Sequence, residues 1–348
     1  MERFTPKIVV TGGMGYIGSH TTVLLLNAGY RVVILDNLSN SNKSILQRIE
    51  QITGKTATFY EVDLCDKAEL SRVFDIEKDI AASIHFAALK AVGESVENPL
   101  LYYKNNLISL LNLLEVQQES GIQNLVFSSS CTVYGEPDTL PVTEQSPVKQ
   151  AVSPYGNTKQ IGEEIISDAC RSSKLNAIAL RYFNPVGAHE SALIGELPNG
   201  IPNNLVPFIT QSAIGKRAEL KVFGNDYSTP DGTCIRDYIH VEDVAAAHVA
   251  ALKRLENESL HRNSRFEVFN IGTGRGHSVM EIINSFEQAT GCTLNYSVTA
   301  RRPGDIEKVY ADTQLSNKVL GWEAHKTIAE MMSSAWKWEL ENLKNPIQ

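Results

Sequence analysis

The segment Thr11-Gly12-Gly13-Met14-Gly15-Tyr16-Ile17-Gly18 constrains this chain more than any other. It succeeds a short β-rich run, Lys7–Thr11, and opens a stretch, Tyr16–Asn27, whose apolar residues recur at helical spacing. Gly13, Gly15 and Gly18 fit G-x-G-x-x-G, while Gly12, Gly15 and Gly18 fit the variant G-x-x-G-x-x-G. The physics is the same for both: glycines permit a tight turn, let backbone approach a pyrophosphate, and let the helix pack closely on the strand. The helix start adds free N–H groups and the positive end of a dipole. Such a turn alone often serves geometry only, so the strand–turn–helix setting and the acidic residue beyond it decide. Asp36 closes the second apolar run, Arg31–Leu35. A carboxylate there accepts from ribose hydroxyls and repels a 2′-phosphate, which favours NAD over NADP. The plainer reading of Asp36 is a strand-end turn former, helped by Asn37.

Further strand-like runs occur at Thr58–Val62, Ala82–Ala87, Leu125–Ser128 and Ala177–Tyr182, with helical patterns at Leu100–Gln118 and Tyr155–Arg171. Strands alternating with helices predict an α/β protein with a doubly wound, Rossmann-type parallel sheet covered on both faces. After Asn184 the pattern changes: residues 184–204 and 224–234 are rich in Gly, Pro and Asn, which reads as loop. The division expected is 1–184 for a dinucleotide-binding domain and 185–348 for a smaller C-terminal α/β substrate domain. Within the latter, about 236–270 is a candidate to return to the first domain, since Asp237–Leu255 reads as strand then helix.

Charge narrows the class. With 32 basic and 40 acidic residues the net charge is -8, which argues against a nucleic-acid binder working through a broad basic surface. No window reaches the ~18 apolar residues of a membrane span, and the start shows no signal-peptide pattern. The five cysteines are odd in number, far apart and without a C-x-x-C pair, so neither a metal site nor a disulfide framework is expected. A reducing, cytoplasmic setting is the expectation.

Tyr155-Gly156-Asn157-Thr158-Lys159 places a phenol and an ammonium on one face of a helix start. Bringing a phenol from pKa ~10 to neutrality takes about 3 units, or ~4 kcal/mol. One lysine at a wet surface does not supply that; a lysine plus the positive charge of an oxidised nicotinamide in a closed site can. Upstream, Ser128-Ser129-Ser130 ends the fifth strand, on the side of the sheet where such folds bind ligands. A serine hydroxyl there both donates to and accepts from a substrate oxygen. Strand-end capping is the plainer role for some of the three.

These residues carry a resemblance. The chain is similar to the extended short-chain dehydrogenase/reductase family, and within it to the UDP-sugar 4-epimerases, over nearly its whole length. The matching segments are Thr11–His20, Leu35–Asn37, His85–Glu97, Phe127–Gly135, Ser153–Lys159, Arg181–Ala188, Ile201–Leu205, Phe223–Tyr227, Arg236–Val241 and Arg301–Asp305. The resemblance implies NAD as cofactor, held by Gly12, Gly15, Tyr16, Ile17, Gly18, Asp36, Asn37, Asp63, Leu64, Phe86, Ala87, Ala88, Lys90, Asn105, Ser128, Tyr182 and Phe183 together with Tyr155 and Lys159. It implies Ser130, Tyr155 and Lys159 as the catalytic set. Asn184, Asn204, Leu205, Phe223, Arg236, Arg302 and Asp305 are implied as contacts to the UDP-sugar, and Val309 as the position that limits sugar size. A homodimer is implied, with no metal. Two departures stand out: Cys131 where alanine is common, and Asn157-Thr158 for a more usual Lys-Ser.

The activity implied is interconversion of UDP-glucose and UDP-galactose through a 4-keto sugar, with room at Val309 for N-acetyl sugars. Another UDP-sugar 4-epimerase, acting on a pentose or uronate, stays open. So does a dehydratase or decarboxylase of the same fold, although Thr132 is flanked by Cys131 and Val133 rather than by an acid pair. A non-enzymatic NAD sensor is disfavoured by the intact Ser130, Tyr155 and Lys159.

Overall fold

The computed structural model describes residues 5–257, 265–302 and 305–347. Its first part alternates strands and helices: β1 (Lys7–Thr11), α1 (Tyr16–Asn27), β2 (Arg31–Asp36), α2 (Ser44–Thr53), β3 (Thr58–Glu61), α3 (Lys67–Ile76), β4 (Ile80–His85), α4 (Val92–Glu97), α5 (Pro99–Glu119), β5 (Asn124–Ser130), α6 (Pro154–Ser172) and β6 (Asn176–Tyr182). Then come β7 (Asn184–Val186), α7 (Leu205–Ala213), β8 (Leu220–Phe223), β9 (Ile235–His240), α8 (Val241–Glu256), β10 (Phe266–Ile271), β11 (Gly276–Ser278), α9 (Val279–Thr290), β12 (Tyr296–Thr299), β13 (Lys308–Val309), α10 (Gln314–Leu320) and α11 (Ile328–Lys344).

Seven strands form one parallel sheet in the order β10-β6-β5-β4-β1-β2-β3. Alternate residues of β1 point to opposite faces. Ile8 and Val10 enter a layer with Val23 and Leu25 of α1, Ile49 of α2 and Val244 and Ala251 of α8. Val9 enters the other, with Leu70 and Phe74 of α3, Leu110 and Leu113 of α5 and Ile166 of α6. Both faces are covered, so the strands read as continuous apolar runs. β1 lies between β4 and β2, so strand order reverses there and a crevice opens at the carboxyl ends of β1 and β4.

The strands and helices read from sequence are present, with boundary differences that have local causes. β4 ends at His85 rather than Ala87. Phe86 N–H still reaches the Thr11 carbonyl, but Ala87 N–H turns to the Thr11 hydroxyl at 3.3 Å and leaves the ladder. β5 runs on to Ser130 because Ser128, Ser129 and Ser130 pair in register with Leu180, Arg181 and Tyr182. Neither α2 nor α3 stands out in the sequence pattern; α3 is capped by Asp66, whose side chain accepts from Glu69 N–H at 3.0 Å. β10 pairs with β6 from Phe266↔Ala177 to Ile271↔Tyr182, and α8 packs on α1.

The remaining elements build a smaller unit. β11, β9 and β13 form a mixed sheet with β7 on β9, and β8 pairs with β12. Its core holds Val186, Ile209, Val222, Ile282, Phe286 and Met332.

Candidate active site

The three motif glycines differ in what they meet. Gly12 has φ +67°, and a side chain on it would lie 2.7 Å from the Ala87 nitrogen. A Cβ on Gly18 would collide with the Gly12 carbonyl oxygen. The fold itself therefore demands these two. A Cβ on Gly15 would meet only that same oxygen, at 3.2 Å, and is otherwise open. Gly15 is the N-cap of α1, which begins with no side-chain cap and no acid in its first turn. Its first N–H groups are thus available to an anion, and the open face at Gly15 fits a pyrophosphate approaching the backbone.

Asp36 unites its two readings. Its carboxylate accepts from Met14 N–H at 3.0 Å, Leu38 N–H at 2.9 Å and the Ser41 hydroxyl at 2.8 Å, so it fastens the glycine turn to the end of β2. A carboxylate has about four acceptor sites, which leaves capacity for a ribose hydroxyl. Asn37 accepts from Ser39 N–H and Asp63 from Cys65 N–H, each closing a turn at a strand end. Leu64 is buried beside them, and Asn105 donates to Asn106. Lys90 lies 5.6 Å over the Tyr16 ring and pairs with Glu196 at 2.9 Å, while the Tyr16 hydroxyl donates to the Gly187 carbonyl. Phe86 and Tyr182 both pack, with rings tilted, against the buried His248.

At the end of β5 the three serines diverge. Ser128 shares a hydrogen bond with the Tyr182 hydroxyl, and Ser129 donates to Glu163. The Ser130 hydroxyl oxygen accepts from Thr132 N–H at 3.2 Å and from the Thr132 hydroxyl at 3.0 Å, leaving its own proton to give away. Ser130 thus caps the single 3₁₀ turn Cys131–Tyr134 and remains a donor.

α6 begins with Ser153 as cap, accepting from Gly156 N–H at 3.1 Å, and Pro154 in its first position. Tyr155 therefore stands in the first turn, where the helix dipole favours a negative charge. Burial, with the neighbouring Tyr182 next, pushes the Tyr155 phenol well above its ordinary value; the Ser130 hydroxyl acts the other way. Lys159 is buried, donates to the Ser128 carbonyl at 2.7 Å, and has its ammonium 5.9 Å from the Tyr155 ring centre. Burial lowers it to about 8, with Glu163 opposing. The i, i+4 spacing of Tyr155 and Lys159 suggests a lysine that lowers the phenol; in the structure burial dominates, and the net direction at Tyr155 is up.

On the facing side, Arg236 and Val309 are register partners of β9 and β13. The Arg236 guanidinium lies 3.7 Å from Asp305 and that of Arg302 stacks 4.4 Å over Phe223. Pro303 and Gly304 of the matching segment fall outside the described residues. Asn184 lies on β7, and Asn204, which donates to Glu196 at 2.9 Å, precedes Leu205 at the start of α7. Val309 is buried with Val133, Tyr134 and Phe183, and Cys131 packs against this cluster. Burial pushes the Cys131 thiol up to about 12, so it is a neutral apolar neighbour of Ser130 rather than a thiolate.

Glu163 and Glu196 lie outside the matching segments, and Arg181, which opens one of them, is given no role there. A signal for Glu163 was nonetheless present: it comes one turn after Lys159 on the buried face of α6. Among the described residues no group of three or more His, Cys, Asp or Glu could hold a metal ion.

The model of the NAD dependent epimerase/dehydratase family matches residues 8–272. The chain belongs to this family. Among similar epimerases, the UDP-glucose 4-epimerase of Haemophilus influenzae is 52% identical over 339 residues, 97% of this chain and 98% of that protein. The crystal structure of UDP-glucose 4-epimerase from Bifidobacterium longum in complex with NAD+ and UDP has a TM-score of 0.91 at 47% identity, covering 97% of this chain and 99% of that one. The UDP-Glc/GlcNAc 4-epimerase of Campylobacter jejuni has a TM-score of 0.83 at 36% identity, covering 97% and 99%.

Proposed function

We propose that this chain is an NAD-dependent UDP-glucose 4-epimerase, interconverting UDP-glucose and UDP-galactose. The observation that carries the reading is the meeting of Ser130, Tyr155 and Lys159 beside the crevice that the glycine turn opens. Tyr155 takes the proton of the sugar 4-hydroxyl. Ser130, with its proton unspent, holds the 4-oxygen, and Lys159 supplies positive charge beneath the phenol. Bound NAD supplies a hydride acceptor and donor at C4. Gly12, Gly15, Gly18 and the start of α1 hold its pyrophosphate, and Asp36 its adenosine ribose.

Arg236 and Arg302 anchor the diphosphate, since guanidinium forks pair with phosphate in bidentate fashion. Asn184, Asn204, Leu205, Phe223 and Asp305 complete that contact surface. The dinucleotide belongs to residues 1–183 together with α8 and β10, which return to the central sheet and its helices, and the UDP-sugar to β7, β9 and the rest of the C-terminal half. Epimerisation is favoured over elimination because Thr132 stands between a neutral thiol and the buried Val133, not beside an acid. Val309, smaller than tyrosine, leaves room for a 2-acetamido group.

The chain works as a homodimer in the cytoplasm. On α5, Leu100 is 80% and Leu111 41% exposed, and with Leu107 they fall on one helical face that a second copy would cover. All five cysteines are free, as a reducing compartment requires, and no helix of the described residues is long and apolar enough to cross a membrane.

Incubation with UDP-galactose, with product identification and assay of copurified NAD, tests the reading. UDP-glucose of unchanged mass supports it; loss of water or carbon dioxide points to the dehydratase or decarboxylase. No turnover of any UDP-sugar, with NAD bound, points to a sensor.

A further inference from the structure

Beneath the catalytic set lies a buried charge cluster that the epimerase chemistry leaves unused. Glu163 comes one turn after Lys159 in α6, on the same face. Its carboxylate accepts from the Ser129 hydroxyl, from Arg181 Nε at 2.9 Å and from a second Arg181 nitrogen, giving a bidentate pair. Ser129 and Arg181 are register partners across β5 and β6. The guanidinium also lies 4.8 Å over the Tyr134 ring. All three residues of the clamp are buried.

The position matters more than the pair. A buried ion pair is weak evidence for stability, because desolvation offsets most of its attraction. This one is fastened to Ser129, between Ser128, whose carbonyl receives Lys159, and Ser130. The groups that act on the Lys159 ammonium come from α6, β4 and β5, with β6 behind them. Tyr155 and Glu163 are on its own helix, and His85 on β4 is held neutral by burial and then by Lys159 itself. Phe127 and Ser128 are on β5, and on β6 Tyr182 bonds to Ser128 and Arg181 pairs with Glu163, one bond removed from the ammonium. Glu163 is the anion that acts on Lys159.

We propose that Glu163, clamped by Arg181 and Ser129, is a positioning residue that holds Lys159 as an ammonium beneath Tyr155. This rests on the epimerase reading and deepens it. Burial alone favours a neutral amine at Lys159; the carboxylate one turn away opposes that, and the clamp keeps the carboxylate ionised and in place. Without the carboxylate, Lys159 loses its proton at lower pH and the Tyr155 phenolate loses its counter-charge.

The test compares Glu163→Gln, Glu163→Asp and the double variant Glu163→Gln/Arg181→Gln, which strands neither partner if the single change fails to fold. Two readouts are taken on the NAD-loaded protein. One is the pH profile of kcat and KM with UDP-galactose. The other needs no turnover: the near-ultraviolet phenolate titration of Tyr155, by difference against Tyr155→Phe in each background. Glu163→Gln is expected to move the alkaline fall of kcat down by about one pH unit and the Tyr155 titration up by a similar amount, with KM within about twofold. The double variant moves both in the same directions, and Glu163→Asp, which keeps the charge, restores the wild-type pH dependence. A folded variant lacking the charge but keeping the wild-type profile and titration, or a pH-independent loss of kcat, overturns the proposal. An inactive wild type in which the Tyr155 titration still shifts overturns only the epimerase reading.

Discussion

The ammonium of Lys159 lies 2.7 Å from the main-chain oxygen of Ser128, two residues ahead of Ser130 on the same strand. The lysine is thus tied to the strand that carries the serine, and α6 cannot shift without moving both. Replacing Lys159 by Met keeps the bulk and leaves a buried carbonyl unpaired. A cost of about 1–3 kcal/mol in denaturant unfolding is expected, with kcat lowered by about 10²–10⁴-fold. A variant that keeps wild-type kcat would remove Lys159 from the catalytic set.

The glycine turn gives two different outcomes for the same substitution. Gly18→Ala drives a methyl into the Gly12 carbonyl, an overpacking that costs about 1–3 kcal/mol and lowers the melting temperature. Gly15→Ala makes one tight contact, 3.2 Å to the same oxygen, so its melting temperature in the NAD-free form falls less than that of Gly18→Ala. It should nevertheless purify with less NAD, read from nucleotide released on denaturation. Equal NAD content in Gly15→Ala and wild type would dissociate that face from the pyrophosphate.

Acid sensitivity comes from buried histidines. Burial pushes His20 and His85 down to about 3 and His240 and His248 to about 4. In each case the folded pKa lies below the unfolded one near 6.5, so the unfolded chain binds more protons between the two. The stability these neutral rings contribute is complete above about pH 6.5 and is lost as pH falls toward 4 and 3. One unit is ~1.4 kcal/mol, so several such groups together are comparable to the ~5–15 kcal/mol stability of a typical domain. Asp237 and Asp243, raised by burial, work in the opposite sense. Unfolding monitored by circular dichroism should therefore begin below pH 6.5 and finish above pH 4. His248→Asn keeps a donor for the Val244 carbonyl and should flatten that slope by about one proton. An unchanged slope would assign the acid transition to other groups.

Sugar selectivity is expected to turn on Val309. It is buried against Val133, Tyr134 and Phe183, so a tyrosine ring has no space on that side and, on the proposed placement of the substrate, enters the space of the sugar. Val309→Tyr should abolish turnover of UDP-N-acetylgalactosamine and leave UDP-galactose within about tenfold, roughly the 1–3 kcal/mol by which a pocket discriminates added bulk. Equal loss on both substrates would mean a disrupted fold or a misassigned position.

Six strands of the central sheet were legible as apolar runs, a pattern forced in the inner strands by helices on either face, whereas β10, which carries Glu267 and Asn270, did not stand out. The turn was legible because Gly12 and Gly18 occupy places that no side chain can share. What escaped had a different physical origin. α2 and α3 are short, and their cores rest on a few residues such as Ile45, Ile49, Leu70 and Phe74. Glu163 and Arg181 meet only when α6 closes on β5 and β6, and Glu196 meets Lys90 across 106 residues, although its other partner, Asn204, is only 8 away. The pairing itself, unlike the helical position of Glu163, is set by the tertiary fold and cannot be read from a local pattern.

The edge strand β10 is delivered last to the sheet it completes. The partner it pairs with, β6, is made first, and β7, α7, β8, β9 and α8 are synthesised in between. Until Phe266–Ile271 has left the ribosome, β6 presents an open row of backbone donors and acceptors, flanked by apolar side chains. A nascent chain stalled before that point is an aggregation hazard, whereas one released just beyond it can close the sheet. The order of manufacture, as much as the finished contacts, makes the middle of this sequence the place where a premature stop would do most harm.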